Sequence, residues 1–403
     1  MPKLGQSRGT MTLAINPNLG RVVEPPIAEA YGWVDGRSFP DAKPLIDVCQ
    51  AVPGYPPPEA LTDHLAQVVK QPATARYTDI EGIEPLRAAL ARDVASAYGG
   101  PVAPDQVLIA AGCNQAFCLS LLALAKPGDE VILPLPWYFN NKMWLDMQGV
   151  TAVPLPFRPE QGGVPDVADA AAAITDKTRA IVLISPNNPT GALYPAETIR
   201  AFFDLVRERN IALVIDETYR DFLGREGRSH DLFHDANWPE ALVHLYSFSK
   251  VFCLTGYRVG AVVAQRALIA QIAKAMDTVA ICAPRIGQEA ALWGLQHLGE
   301  WRIGNRMMMR ARLEAFETAM RRNDNGYRIV SAGAYFAYVA HPFEGRPAAA
   351  VARRLADEQN LLALPGSMFG AGQESYLRFA FANVAAEIMP AIAERLAADT
   401  ARG

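Results

Sequence analysis

Five short runs in the middle of the chain are apolar at every position or nearly so: Val107 to Ala110, Val131 to Leu133, Ala180 to Ile184, Ile211 to Ile215 and Leu242 to Leu245. A strand with one wet face alternates apolar and polar side chains, so continuous runs of this length predict strands covered on both faces. Stretches with helical periodicity separate them, and the alternation predicts an α/β fold with a mainly parallel central sheet flanked by helices. In an open sheet of that kind, ligands bind outside the carboxyl ends of the strands. The most unusual polar residues of the chain fall at those ends: Gly112-Cys113-Asn114, Ser185 to Gly191, Asp216, and Ser247-Phe248-Ser249-Lys250.

Residue by residue, these ends suit one kind of ligand. Gly112 lets the backbone approach an anion, and a helix beginning near Asn114 points free N–H groups toward it. Ser247 lies three residues before Lys250 and Arg258 eight after it, so both can hold one phosphate while the amine reaches the group that the phosphate anchors. That combination predicts an aldehyde cofactor with a phosphate tail. Asp216, at a buried strand end, requires a partner. Arg378 interrupts the apolar run Tyr376 to Phe381; its burial is costly unless a carboxylate meets it, and its planar fork suits the α-carboxylate of an amino acid. Tyr77, ahead of a helix over Glu84 to Tyr98, has a hydroxyl suited to an anion and a ring suited to an interface. Each residue alone also has a plainer reading: Lys250 as a solvated loop lysine, Arg258 as a surface ion pair, Gly112 as an ordinary turn, Asp216 as a turn cap, Tyr77 as packing, Arg378 as a structural salt bridge.

Together the motifs resemble the class I/II aminotransferases among the fold-type I enzymes that depend on pyridoxal 5'-phosphate. The resemblance is carried by Ser247-Phe248-Ser249-Lys250 continued through Gly256, Arg258 and Gly260, by Asn188-Pro189-Thr190-Gly191, by Asp216 with Tyr219, by the proline turn Pro134 to Phe139, and by Tyr77 ahead of Gly82. It spans about residues 46 to 383 and implies the fold-type I transferase fold. Lys250 is then the Schiff-base lysine. The resemblance implies a phosphate cup of Gly112, Cys113, Asn114, Ser247 and Arg258, joined across a homodimer interface by Tyr77. Tyr138 would stack on the pyridine ring, Asp216 pair with its nitrogen, and Asn188 and Tyr219 bind its ring oxygen. Arg378 would take the substrate's α-carboxylate beside Ala51 and Asn188. The chain departs from the family at Ala51, where a glycine is usual, at Cys113, where Ser, Thr, Ala or Gly is common, and at Ile281 to Arg285, where Ser or Thr usually faces the neighbouring subunit's phosphate.

The expected organisation is a Pro- and Gly-rich arm over residues 1–45 with at most one short helix, a large cofactor domain over 46–292, and a smaller α+β domain over 293–403. The expected reaction moves an amino group from an α-amino acid to a 2-oxo acid. Trp137, Tyr335 and Phe336 are aromatic and Arg285 is a doubtful distal arginine, so neutral or aromatic amino acids are the expected donors. Another fold-type I outcome, such as a C–S β-lyase, is the nearer alternative; the farther one is a non-catalytic regulator, which usually carries a DNA-binding module for which the arm leaves no room. A net charge of -4 offers no basic footprint for nucleic acid. The longest apolar stretch, Ala116 to Ala125, falls short of the ~20 residues that span a bilayer. Met1 to Gly20 lacks the apolar core of a secretory signal, and five scattered cysteines form no metal or disulfide pattern. The expectation is a cytoplasmic protein with small-molecule substrates.

Overall fold

The computed structural model describes residues 13–223, 227–322 and 325–401. Residues 1–12, and with them the start of the expected arm and most of Met1 to Gly20, lie outside the described residues. Seven strands form the central sheet in the order Val107–Ala110, Gly260–Val263, Leu242–Ser247, Ala212–Asp216, Thr178–Ile184, Glu130–Pro134 and Thr151–Leu155. Neighbours run parallel except Gly260–Val263, which is antiparallel to both flanking strands. The five apolar runs are five of these strands, and Val107–Ala110 is buried at every position, as a strand covered on both faces must be. Thr151–Leu155 escaped the sequence reading because it is a half-exposed edge strand interrupted by Pro154, which an edge tolerates.

A second sheet is antiparallel, in the order Leu364–Pro365, Tyr376–Phe379, Phe336–Ala340 and Arg328–Gly333. Its apolar face packs with Phe316, Leu355 and Leu396 into a hydrophobic core separate from that of the central sheet. Ile46–Asp47 pairs in parallel with Leu361–Leu362, so Ile46 and Val48 belong to this second core. The arm holds two short helices, Pro17–Gly20 and Pro26–Gly32, where the sequence predicts at most one. Pro17 and Pro26 stand at the first helical positions, where a fixed φ helps and no N–H is missed. Among the described residues no helix is long and apolar enough to cross a membrane.

The two sheets meet at the turn after Thr178–Ile184. Gly191 has φ +74°, and a Cβ there would lie 2.4 Å from the carbonyl oxygen of Phe336 and 2.5 Å from the amide of Gly333. Only glycine allows this approach, which brings Asn188 beside Arg378 of the second sheet. Behind the strand end at Asp216, Glu217 is fully buried among donors: Ser229 Oγ at 2.5 Å, His244 Nε2 at 3.0 Å, His230 Nε2 at 3.2 Å and the Tyr98 hydroxyl. Burial pushes the Glu217 carboxyl up, but the two imidazoles and their hydrogen bonds outweigh it and hold it well below the usual range.

Glu217→Ala strands this set of buried donors and is expected to cost about 3–5 kcal/mol in urea unfolding at neutral pH. A depressed carboxyl stabilises the fold fully above its unfolded pKa of about 4.3 and progressively less as pH falls toward its folded value. The gap between wild type and Glu217→Ala should therefore narrow on acidification; equal stabilities at pH 7 would contradict the assignment.

Candidate active site

A cavity of about 640 Å³ opens at the carboxyl ends of the central strands. Lys250 enters it from Phe248–Val251, a single turn capped by Ser247, whose Oγ accepts from the Ser249 amide at 3.2 Å. Lys250 Nζ donates to the Ala51 carbonyl at 2.5 Å. Burial first, then the Arg258 and Arg378 guanidiniums, lower its pKa to about 8. The larger neutral fraction this gives near pH 7, compared with an ordinary lysine, suits the amine to act as a nucleophile and a proton carrier.

One end of the cavity is built for an anion. The helix Cys113–Leu124 starts at Gly112 with no side chain capping it, so its leading N–H groups stay available. Gly112 has φ +85°, and a Cβ there would lie 2.2 Å from Arg258 Nη2; one on Gly260 would lie 2.7 Å from the Cys113 amide. The two glycines let arginine, strand and helix start converge. Arg258 donates to the carbonyls of Thr255 at 2.8 Å and Ala111 at 3.3 Å, and no carboxylate among the described residues pairs with it. It is therefore not the surface ion pair of the plainer reading. Asn114 and Ser247 line the same cavity.

Asp216 lies farther in. Its Oδ1 accepts from the Thr218 amide at 2.9 Å, and no cation among the described residues pairs with it. Burial raises its carboxyl above the ordinary value, partly opposed by hydrogen bonds from Thr218 and the Cys113 thiol. The thiol itself is held neutral, since burial pushes it well above its ordinary pKa. A ring with a protonatable nitrogen at one side, an aldehyde at another and a phosphate tail fits these groups: Asp216 lacks a cation, Lys250 is a reactive amine, and the uncapped helix start with Arg258 lacks an anion.

Arg378 closes the opposite wall from the second sheet. It is 2% exposed, with its guanidinium carbon 5.0 Å from the ring centres of both Phe336 and Phe369. Nη1 donates to Asn188 Oδ1 at 3.1 Å and Nη2 to the Cys49 carbonyl, while Nε has no partner. Burial lowers its pKa, and no carboxylate among the described residues pairs with it. The structural salt bridge of the plainer reading is absent.

Ala51, Cys113, Asn114, Tyr138, Asn188, Asp216, Tyr219, Ser247, Lys250, Arg258 and Arg378 thus line one cavity. Gly112 stands immediately outside it, as the helix cap. Tyr77 does not line it and is 74% exposed. Of the aromatics expected near the donor, Tyr335 and Phe336 stand behind the wall instead: both rings lie 5.2 Å from that of Tyr219. Trp137 lies outside the lining, leaving Tyr138 and Phe139 as the aromatics of its turn that line the cavity. Arg285 is paired with Glu289 at 3.1 Å. The sequence reading missed Gln50, Thr218, Asn140 and Thr255, and Pro25 to Ile27 of the arm. Thr218 was readable from its strand-end position; the arm residues have no local signal, because only the path of the whole arm brings them here.

A family model for class I and II aminotransferases matches residues 43–396. An aspartate aminotransferase of Thermotoga maritima is 26% identical over 339 residues, covering 84% of this chain and 87% of that protein. An aromatic aminotransferase of Arabidopsis thaliana is 26% identical over 364 residues, covering 87% and 88%. The solved structure of a Thermus thermophilus aspartate aminotransferase single mutant matches with a TM-score of 0.88 and 25% identity over 96% of this chain and 100% of that one. With a cavity suited to the cofactor and a match over nearly its whole length, the chain belongs to the class I and II aminotransferases, enzymes of fold type I that depend on pyridoxal 5'-phosphate.

Proposed function

We propose that this aminotransferase takes its amino group from a neutral or aromatic α-amino acid, works as a cytoplasmic homodimer, and uses Lys250 as its catalytic amine. The observation that carries the reading is a single cavity in which Lys250 has its pKa lowered to about 8, Asp216 has no cation and Arg378 has no carboxylate. In this reading Ser247, Arg258 and the N–H groups of Gly112, Cys113 and Asn114 hold the cofactor's phosphate. Tyr138 covers its ring, Asp216 pairs with the ring nitrogen, and Asn188 and Tyr219 bind the ring oxygen. When bound, the cofactor supplies an electron sink for charge developing at the substrate's α-carbon. Arg378 holds the α-carboxylate with its fork, Ala51 limits the space beside it, and Lys250 Nζ takes the α-proton and would deliver it to the cofactor carbon that receives the amino group.

Apart from Arg258 and Arg378 no arginine among the described lining residues faces the cavity, which supports a donor without a distal carboxylate. The names of relatives such as the Thermotoga maritima aspartate aminotransferase favour a second reading, in which a dicarboxylic donor meets a cation from outside this chain. An aromatic ring as exposed as Tyr77 supports its burial by a second copy, where it would reach the partner's phosphate. The division at residues 45 and 292 belongs to the same reading, qualified by Ile46 and Val48, which pack with the smaller domain.

Borohydride should fix the cofactor to Lys250, and Lys250→Ala should bind it reversibly while losing nearly all transamination; substantial residual turnover would sink the mechanism. In cofactor-free protein, labelling of Lys250 by an amine reagent should rise through pH about 8, since its pKa lies below the ordinary 10.5. Arg378→Lys keeps the charge without the fork and should lower kcat/KM for all donors by roughly 10- to 100-fold, or about 1.5–3 kcal/mol. Stopped-flow half-reactions across a donor panel check this, and aspartate or glutamate reacting fastest would overturn the donor class. Mixing inactive Lys250→Ala chains with inactive Tyr77 variants should restore part of the activity through hybrid dimers; a monomer in solution, with Tyr77→Phe retaining the cofactor normally, would refute the shared site.

A further inference from the structure

A second cavity, of about 340 Å³, opens between the end of the helix Glu84–Tyr98, the segment Arg220–Phe222 and the start of the helix Gly299–Arg322. Four arginines line it: Arg220, Arg228, Arg302 and Arg306. Two carboxylates answer them. Asp93 is shared by Arg220 and by Arg302, the latter at 2.8 Å; Asp221 accepts from Arg302 at 2.6 Å and from the Tyr246 hydroxyl at 2.7 Å. Arg228 pairs with the Tyr98 carbonyl at 2.7 Å and with His234 Nε2 at 2.8 Å, and with no carboxylate among the described residues. Arg306 has no carboxylate partner among the described residues. Among the described residues four guanidiniums meet two carboxylates, and the two arginines without a carboxylate, Arg228 and Arg306, sit at the exposed rim.

The floor adds a second observation. Arg220 is 8% exposed, its guanidinium carbon lies 3.8 Å from the ring centre of Tyr246, and its Nε and Nη1 have no hydrogen-bond partner. A buried arginine with two unmatched nitrogens is costly in a cluster serving only stability, where each guanidinium would have its own carboxylate. Gly299, Arg302, Ile303 and Arg306 lie on one face of their helix at its N-terminal end, where the backbone also favours negative charge. We propose that this cavity binds a small multivalent oxyanion, a phosphate group either free or carried by a metabolite, with Arg228 and Arg306 as its principal contacts. The site is distinct from the one that holds the cofactor's phosphate.

Calorimetric titration of the cofactor-saturated protein tests this, because the cofactor then fills the anion end of the active site. Inorganic phosphate, compared with chloride at equal ionic strength, should bind saturably to wild type. Arg228→Ala and Arg306→Ala should each weaken binding on the order of tenfold, as loss of one charged contact does. Arg266→Ala, which removes an exposed arginine elsewhere, should change nothing. Glycerol phosphate in a parallel titration separates the two sources: tighter binding than inorganic phosphate assigns a metabolite-borne group, and weaker binding assigns the free anion. Phosphate heats no different from chloride, or equal affinity in wild type and the Arg228→Ala/Arg306→Ala double variant, would overturn the proposal.

Discussion

A buried guanidinium facing the cavity without a carboxylate is the constraint on which the rest of the active-site wall depends. Arg378 is only 2% exposed, so its charge is supported chiefly by the faces of Phe336 and Phe369 and by the carbonyl-type oxygens of Cys49 and Asn188. Each of these supports comes from a different element. Phe336 belongs to the neighbouring strand of the second sheet, Cys49 follows the two-residue ribbon at Ile46–Asp47, and Asn188 comes from the central sheet. Holding one cation in place therefore requires both sheets to be in register with each other, and Gly191 supplies the close approach that makes the register possible.

The same logic runs through the facing wall. Lys250, Arg258 and Arg378 are mutually repulsive cations, and the first of them yields by losing its affinity for a proton. Asp216 yields in the opposite sense. The cavity thus holds charges whose usual partners are missing among the described residues, arranged as an anion-binding end, a reactive amine and a carboxylate-binding fork. Such an arrangement is expensive for a fold and useful for a catalyst, since the electrostatics are already organised when a substrate arrives.

How much of this was legible in the sequence follows from how local each signal is. The five inner strands announced themselves through continuous apolar runs, and Lys250, Asp216, Asn188 and Arg378 through the positions they occupy at strand ends or inside an apolar strand. Thr151–Leu155 did not, because an edge strand lacks the burial that makes a run apolar. Tyr335 and Phe336 looked like cavity residues from their neighbourhood in the chain, yet both are fully buried and their rings pack against Tyr219. Pro25 to Ile27 and the arginines of the second cavity were invisible for a different reason: segments far apart in the chain meet there, and no local pattern encodes such meetings.

The glycines at 112, 191 and 260 set the terms for redesigning this enzyme. A methyl group would strike backbone at 191 and 260 and push aside the Arg258 guanidinium at 112, and at 112 and 191 it would also sit at a positive φ. A library aimed at new substrates therefore has fixed hinges and free panels: Ile27, Gln50, Ala51 and Asn140 line the cavity away from those contacts and can be varied in bulk and polarity. The three glycines behave like the frame of a mould, which shapes every casting and cannot itself be recast.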